Sequence, residues 1–241
     1  QKGNEMDKIL VVSNHAKNVF ENTSYEAVEQ ETNRRVELKL NKQVSSVNYP
    51  TKVYDNLNSL KMELDYDFNF LTVAQMGPRK NLENTIRWFI EEFQNDEVGL
   101  VVKTNVAKNC QIDREIVHGN LLSILRQPEY ADRKCKVYLL HGDLTDQEMH
   151  EIHLHPKIKG LLSFTHGEGF GLPLFEAAYM GTPVVATSWS GQLDFLVDEK
   201  GENRFYDVSF DLMPIPEHVE WAGVLVKGSM WAYPRETSAK I

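Results

Sequence analysis

The middle of the chain alternates short apolar runs with segments whose apolar residues recur every three or four positions. The short runs are rich in β-branched and aromatic residues, which is typical of buried strands, whereas the longer segments are typical of amphipathic helices. Strands are predicted at residues 9–13, 68–74, 100–103, 136–140, 160–164 and 183–187, with a short strand and a loop within 44–53. Helices are predicted at residues 15–21, 82–93, 113–126, 146–155, where Asp146 is the expected cap, and 172–180. This alternation predicts an α/β fold, a Rossmann-like parallel sheet with helices on both faces.

The pattern weakens toward both ends of the chain. Residues 29–42 are charged without an apolar face, so residues 1–66 are predicted to be a partial N-terminal or linker segment. Residues 67–241 are predicted to form one domain, since a domain usually holds roughly 100 to 200 residues. Residues 235–241 resemble the start of a helix, and we therefore expect this domain to be truncated at its C-terminal helix.

Charge and composition narrow the classes of function. The 241 residues include 35 acidic and 26 basic side chains, and the formal net charge of −9 disfavours nucleic acid, whose binding relies on basic residues. No apolar run approaches the ~20 residues of a membrane span, and no apolar signal region begins the sequence. The two cysteines, Cys110 and Cys135, lack metal-ligand spacing, so a reducing cytoplasmic location is expected.

Two other groups of residues could suggest metal chemistry. His150, His153 and His155 alternate around a short helix end without supporting carboxylates or cysteines, so packed or solvated roles are predicted for them. Asp65 and Asp67 form an Asp-x-Asp pair, but they precede a strand and are predicted to lie in a loop. No metal site is predicted.

The strongest candidate site lies between the predicted strand 160–164 and the helix that follows it. Gly167, Gly169 and Gly171 allow close approach of the backbone to a ligand, and the N–H groups of a first helical turn attract phosphate. Two carboxylates, Glu168 and Glu176, frame this loop and are suited to bind hydroxyl groups instead. A nucleotide sugar offers both, because its diphosphate lies between two polyols.

These residues resemble glycosyltransferase family 4, a retaining family of the GT-B fold. Glu168 and Glu176 match its Glu-x7-Glu motif, and residues 181–185 match its Gly-Thr-Pro-Val-Val strand. The resemblance covers about residues 68–196, with a looser match at 9–20. It implies the C-terminal half of a GT-B enzyme, in which Glu168 binds donor-sugar hydroxyls and Glu176 binds the ribose.

The resemblance also implies a set of donor-binding residues. They are Gln75, Arg79, Lys80, His166, Glu168, Gly169, Phe170, Gly171, Leu172, Glu176 and Gly191. Glu168 and Lys80 are the predicted catalytic residues. In the family's Gly-Arg-x-x-x-Lys-Gly turn, Lys80 matches the lysine, Gln75 replaces the arginine, and Arg79 is a candidate substitute. His166 is expected either near the sugar or as a cap of the loop.

The predicted function is transfer of a sugar from a nucleotide diphosphate sugar to a carbohydrate, lipid or protein acceptor. No metal or cofactor is expected, because cations and backbone amides would stabilise the leaving diphosphate. The acceptor domain is expected to be missing, and peripheral membrane association through that missing part is a further expectation. Alternatives are a fragment that binds a nucleotide sugar without catalysis, a GT-B epimerase, or a phosphorylase. Hydrolysis by Glu168 and Glu176 is disfavoured, since Glu176 should lie along a helix beside the phosphates.

Overall fold

The computed structural model describes residues 2–29 and 32–240. Gln1 and Ile241, the ends of the two predicted segments, lie outside the described residues, as do Gln30 and Glu31 within the charged stretch 29–42. In the described ranges, no helix combines the length and the apolar character that crossing a membrane requires.

Strands and helices alternate along most of the chain. The strands are β1 (Ile9–Val11), β2 (Ser24–Val28), β3 (Arg35–Lys39), β4 (Val44–Ser46), β5 (Phe68–Val73), β6 (Val98–Lys103), β7 (Lys136–Leu140), β8 (Ile158–Ser163), β9 (Val184–Thr187), β10 (Tyr206–Val208), β11 (Phe210–Pro214) and β12 (Met230–Pro234). The α-helices are α1 (Asn14–Asn22), α2 (Leu82–Glu92), α3 (Gln111–Leu125), α4 (Asp146–Glu151), α5 (Leu172–Tyr179), α6 (Leu193–Leu196) and α7 (Glu236–Ala239).

Six strands form one parallel sheet in the spatial order β7-β6-β5-β8-β9-β10. Counted from β5, this is the 3-2-1-4-5-6 order of a doubly wound sheet, which confirms the Rossmann-like prediction. Phe70 pairs with Leu100 on β6, and Leu71 pairs with Leu161 on β8. The strand order therefore reverses between β5 and β8, and ligands of such sheets bind beyond the carboxyl ends of the strands at that point.

The strands alternate their side chains between two apolar layers. Leu100 and Val102 lie in the layer that includes Phe89 of α2, whereas Leu161 lies in the opposite layer with Leu174 of α5. Each of these side chains is almost completely buried, and burial of one such side chain contributes roughly 1.5–3 kcal/mol. Burial on both faces explains why these strands appear in the sequence as continuous apolar runs.

The N-terminal residues form a smaller unit that contacts the six-stranded sheet domain. β1 and β4 pair in parallel, and α1 and the β2–β3 hairpin lie between them along the chain. The Oδ2 atom of Asp194, which lies on α6 after β9, accepts the N–H of Asn14 at 2.8 Å and the side-chain amide of Asn48 at 3.2 Å. The division of the chain at residue 66 stays a prediction.

Residues 47–67 run from this unit to the start of β5. Leu64 packs into the α5 layer, and Asp65 forms an ion pair with Lys136 at 3.0 Å. Asp67 pairs with Lys157 at 3.2 Å. Asp65 and Asp67 therefore lie in a loop before β5, as predicted.

Several elements were not predicted. These are β2, β3, β10, β11, β12 and α6. β3 and β11 expose most of their side chains. Val36 and Leu38 of β3 alternate with charged residues, which is a strand pattern, but so short an alternation within the charged stretch 29–42 is a weak signal.

Two local predictions near helix ends were wrong in detail. Thr145, not Asp146, is the N-cap of α4, because its Oγ1 accepts the N–H of Glu148 at 3.2 Å while the Glu148 carboxylate accepts the N–H of Thr145 at 2.7 Å. This is a capping box, which an acid at position 146 does not provide. The α-helix then ends at Glu151 and continues as a 3-10 turn, Ile152–Leu154.

Candidate functional site

Two loops meet where the strand order reverses. The turn of residues 74–81 follows β5, and the loop of residues 164–171 follows β8. The side-chain amide of Asn81 donates to the Phe164 carbonyl at 2.9 Å, and the backbone N–H of His166 donates to the Arg79 carbonyl at 2.9 Å. The Thr165 hydroxyl donates to the same Arg79 carbonyl at 3.1 Å. Bonds between the backbones and side chains of both loops thus fix the turn against the loop.

Three predicted site residues, Arg79, Lys80 and Glu168, form a charged cluster at this junction. Lys80 Nζ lies 2.6 Å from Oε1 of Glu168, and an Arg79 guanidinium nitrogen lies 3.1 Å from Oε2. Arg79 also donates to the carbonyl of Gly167. The Glu168 side chain is only 9 % exposed. Two cations against one carboxylate leave a formal surplus of one positive charge, which attracts anions more strongly in this partly buried position than in open water.

The loop that carries Glu168 is supported from behind by the turn after β9. The Ser190 hydroxyl accepts the N–H of Glu168 and donates to the Glu168 carbonyl, both at 2.6 Å, and the Gly191 N–H donates to the same carbonyl at 3.0 Å. A Cβ on Gly191 would lie 2.1 Å from the carbonyl oxygen of Gly169. A glycine at 191 is therefore required for this close backbone approach.

The loop ends at the N-terminus of α5. Gly171 precedes the helix with φ of +94°, a left-handed conformation that glycine adopts without strain. Among the described residues, the backbone N–H groups of Gly169, Phe170 and Gly171 have no hydrogen-bond partner. Free N–H groups at a helix start, reinforced by the helix dipole, are suited to hold phosphate oxygens.

Glu176 lies on the other side of the same loop, in the second turn of α5. It is half-buried, and burial raises the pKa of its carboxyl, while the charge of His150 on α4 opposes this shift and that of Asp146 adds to it. The Glu176 side chain makes no hydrogen bond to the residues that the structure describes. Burial without a partner leaves this carboxylate free to accept hydroxyl donors.

His166 is buried behind the loop. Its ring stacks on Trp231 of β12 with a centroid distance of 5.3 Å, and its Nδ1 lies 2.8 Å from the Ala232 carbonyl. Burial lowers the pKa of the imidazole, although the bond to Ala232 opposes the shift. Of the two predicted positions, these contacts favour a cap of the loop, and direct donor contact stays a prediction.

Gln75 and Leu172 lie at the two ends of the site. The Gln75 amide donates to the Val106 carbonyl at 2.6 Å, which holds the side chain toward the loop after β6 and outside the charged cluster. Arg79 instead lies in the cluster, and its role as the second cation for a diphosphate stays a prediction. Leu172 is exposed at the start of α5. The Phe170 ring is buried and packs against Tyr49 at a centroid distance of 5.3 Å, so only the backbone of this loop residue is available to a ligand.

Three residues that support the site were not predicted from the sequence. Asn81, Ser190 and Gln192 are all buried, and the Gln192 amide donates to the Thr187 carbonyl at 3.0 Å. The Ser-Gly pair at 190–191 is a turn signal and could have indicated the tight turn. A buried glutamine has no corresponding signal in the sequence.

The three histidines of the α4 end do not converge. His150 Nδ1 lies 2.7 Å from the Asp146 carbonyl, and His155 Nδ1 accepts the N–H of Lys157 at 3.2 Å. His153 is buried without a hydrogen-bond partner among the described residues, and burial lowers its pKa to about 4. They are packed, as predicted.

The family described as "Glycosyl transferases group 1" matches residues 131–208, which include the loop of Glu168, the helix of Glu176 and Gly191. Sucrose-phosphate synthase from Thermosynechococcus elongatus has a TM-score of 0.53 at 17 % identity, over 86 % of this chain and 46 % of that one. A glycosyltransferase from Rickettsia africae ESF-5 has a TM-score of 0.51 at 13 % identity, over 87 % of this chain and 50 % of that one. TarM has a TM-score of 0.50 at 16 % identity, over 86 % of this chain and 34 % of that one.

The family model matches a segment within residues 131–208, which is less than half of the chain. At such low identity the three structures show a shared fold. No curated protein matches the chain. The chain spans half or less of the length of each of these three structures.

Proposed function

We propose that this chain is the donor-binding half of a retaining glycosyltransferase of family 4, which uses a nucleotide diphosphate sugar. The observation that carries the proposal is the charged cluster of Arg79, Lys80 and Glu168 beside the free N–H groups of residues 169–171. Cations and amides bind a diphosphate, and a carboxylate binds sugar hydroxyls. The cluster therefore offers the two chemistries that a sugar diphosphate requires in one place.

The cations would act on the leaving group. Negative charge grows on the diphosphate oxygens as the bond to the sugar breaks, so Lys80 and Arg79 stabilise the transition state more than the bound substrate. The amides of residues 169–171 supply dipoles in the same direction. This scheme assigns no step to a metal or a cofactor.

Glu168 would orient the sugar while remaining paired with Lys80 and Arg79. A carboxylate has about four acceptor positions, so both oxygens can still accept hydroxyl donors when each is bonded to one cation. Glu168 is thus a sugar-binding group in this scheme, and no covalent intermediate on it is needed. Retention of configuration would follow from attack on the face that the diphosphate leaves.

Glu176 would hold the other end of the donor. The two ribose hydroxyls are suitable donors for a half-buried carboxylate that has no other hydrogen bond among the described residues. The nucleoside would then lie on the α4 side of the loop 168–171, and the sugar on the side of the charged cluster.

The acceptor would be a carbohydrate, a lipid or a protein, bound by an N-terminal domain that pairs with this one. The fraction of each matched structure that the chain covers, 34–50 %, favours a second reading in which this chain alone binds the donor but does not transfer it. A cytoplasmic location and peripheral membrane association through the acceptor half remain parts of the proposal.

Calorimetry with uridine, guanosine and adenosine diphosphates and their glucose and mannose conjugates tests the proposal. We expect one nucleoside diphosphate to bind, and Lys80→Gln to weaken it roughly 10- to 100-fold, since a hydrogen bond to a charged group is worth about 1.5–3 kcal/mol. The matched control is Lys200→Gln on the exposed turn after α6, which should leave binding unchanged. Absence of binding to any of these nucleotides, or equal affinities for the two variants, would contradict the proposal.

A further inference from the structure

A groove opens beside the charged cluster, and Glu176 is not among its lining residues. One wall is the turn of residues 75–80, and the other is the loop of residues 215–229 between β11 and β12, together with Trp231. The groove has a volume of about 440 Å³, and both Arg79 and Lys80 line it. A molecule in the groove would therefore reach the residues that we propose to act on the leaving diphosphate.

The wall formed by β11, β12 and their loop is tied to the loop of Glu168. The Ala232 N–H donates to the His166 carbonyl at 3.0 Å, and Nδ1 of His166 lies 2.8 Å from the Ala232 carbonyl. Trp231 stacks on His166 with an angle of 11° between the rings. The wall thus keeps a fixed position relative to Glu168.

Trp221 stands exposed on this wall. The residue is 66 % exposed, yet its backbone is held by two hydrogen bonds with Leu225, at 2.9 Å and 2.8 Å. Val224 beside it is also exposed. A large aromatic side chain exposed on an ordered turn, next to a polar site, is typical of a surface that binds a ligand.

The lining of the groove matches a saccharide ring. A pyranose presents C–H groups on a face, which suit an indole ring, and hydroxyls around its rim, which suit the polar side chains of Gln75, Lys80 and His218 opposite and beside it. A nucleobase also stacks on indole, but the proposed ribose ligand Glu176 does not line the groove and lies near His150 and Asp146 of α4. The nucleoside is therefore expected away from the groove.

We propose that a saccharide ring binds in this groove, stacked on Trp221, with its hydroxyls toward the turn 75–80. The ring belongs either to the donor sugar or to a saccharide acceptor. This inference rests on the proposed function, because Lys80 connects the groove to the transfer site.

The test uses Trp221→Ala and Trp221→Phe, which retains an aromatic ring, with Tyr206→Ala as the control. Tyr206 is equally exposed but lies on β10, outside the groove. Calorimetry compares each nucleoside diphosphate with its sugar conjugates, and a glycan array measures saccharide binding in the presence of the bound nucleotide.

If the groove holds the donor sugar, Trp221→Ala should lower the affinity for the sugar conjugate about tenfold and leave the bare nucleotide unchanged. If it holds an acceptor, Trp221→Ala should leave both nucleotides unchanged and lower array binding by a similar factor. In either case Trp221→Phe should retain most of the binding, and Tyr206→Ala should retain all of it.

Equal saccharide binding by the wild-type chain and Trp221→Ala, including none by either, would overturn the inference. In that case retained nucleoside diphosphate binding that depends on Lys80 would leave the proposed function intact. Absence of nucleotide binding by the wild-type chain itself would instead contradict the proposed function.

Discussion

The carboxylates on the two sides of the loop 168–171 differ in their hydrogen-bond partners. On the side of the charged cluster, Glu168 is nearly buried and bound by Lys80 and Arg79. On the α4 side, Glu176 is half-buried without a hydrogen-bond partner among the described residues, and burial raises its pKa. The same residue type is thus already paired at one end of the motif and still able to accept donors at the other. Under the proposed function, the diphosphate would bind at the cluster and the ribose at Glu176.

Substitution of Gly191 should affect both sides at once and have the largest effect. Gly191→Ala places a Cβ 2.1 Å from the Gly169 carbonyl oxygen, so the loop 168–171 must shift. We expect nucleoside diphosphate binding to be lost and the free energy of unfolding to fall by about 1–3 kcal/mol. Calorimetry and urea denaturation measure the two effects.

The matched control for this prediction is Gly119→Ala on α3, where no atom lies within 4 Å of the added Cβ. That variant should bind normally and gain about 0.5–1 kcal/mol in the free energy of unfolding, because alanine is favoured over glycine inside a helix. Normal binding by Gly191→Ala would show that the turn after β9 does not support the site.

Neutralising Glu168 should have opposite effects on the affinities for the bare nucleoside diphosphate and for its sugar conjugate. Glu168→Gln removes the negative charge between Lys80 and Arg79, so the bare nucleoside diphosphate should bind a few-fold more tightly. The sugar conjugate should lose the additional affinity that its hydroxyls provide, roughly tenfold. Calorimetry with both ligands gives this ratio directly, and a parallel loss for both would mean that Glu168 does not distinguish the sugar.

Neutralising Glu176 should weaken binding of the nucleoside portion of the donor. Glu176→Gln should lower the affinity for nucleoside diphosphate about 3- to 10-fold but leave inorganic diphosphate unaffected, since only the nucleoside carries ribose. Competition by the two ligands in calorimetry measures the difference. Equal losses for both would place Glu176 at the phosphates instead.

The carboxyl of Glu176 should also make the free energy of unfolding depend on pH. Because its pKa is raised in the folded chain, the folded state binds more protons than the unfolded state near that pKa, and ionisation of Glu176 destabilises the fold as pH rises through it. Glu176→Gln should therefore be more stable than wild type at pH 7, and the advantage should shrink toward pH 4. Urea denaturation across this pH range measures it, and an advantage independent of pH would exclude this cause.

The smallest effect is expected at Gln75, where the family pattern has arginine. Gln75→Arg adds a cation beside the cluster but removes the amide that bonds Val106, so we expect at most a few-fold gain in nucleoside diphosphate affinity. The gain should decline in 0.5 M salt, because exposed charges are screened. A loss of affinity would indicate that the contact with Val106 matters more than the additional charge.

The sequence predicted the sheet more completely than its surroundings. Apolar side chains of β5 to β9 pack into the layers on both faces of the sheet, so their apolar runs indicated strands. The Glu-x7-Glu spacing indicated Glu168 in the loop after β8 and Glu176 on the helix that follows. β11 was not predicted because most of its side chains are exposed. β12 is mostly buried, but it has only five residues and ends at a proline, which weakens a strand pattern. The pairing of Lys80 with Glu168 joins residues 88 positions apart in sequence, a distance over which local patterns carry no information.

A crystal structure with the tightest-binding nucleotide sugar tests the central claim most directly. The account predicts diphosphate oxygens within ~3 Å of Lys80 Nζ and of the N–H groups of residues 169–171, with a sugar hydroxyl on Glu168 and the ribose on Glu176. A donor whose diphosphate lies elsewhere, without contact to Lys80 or Glu168, would contradict it.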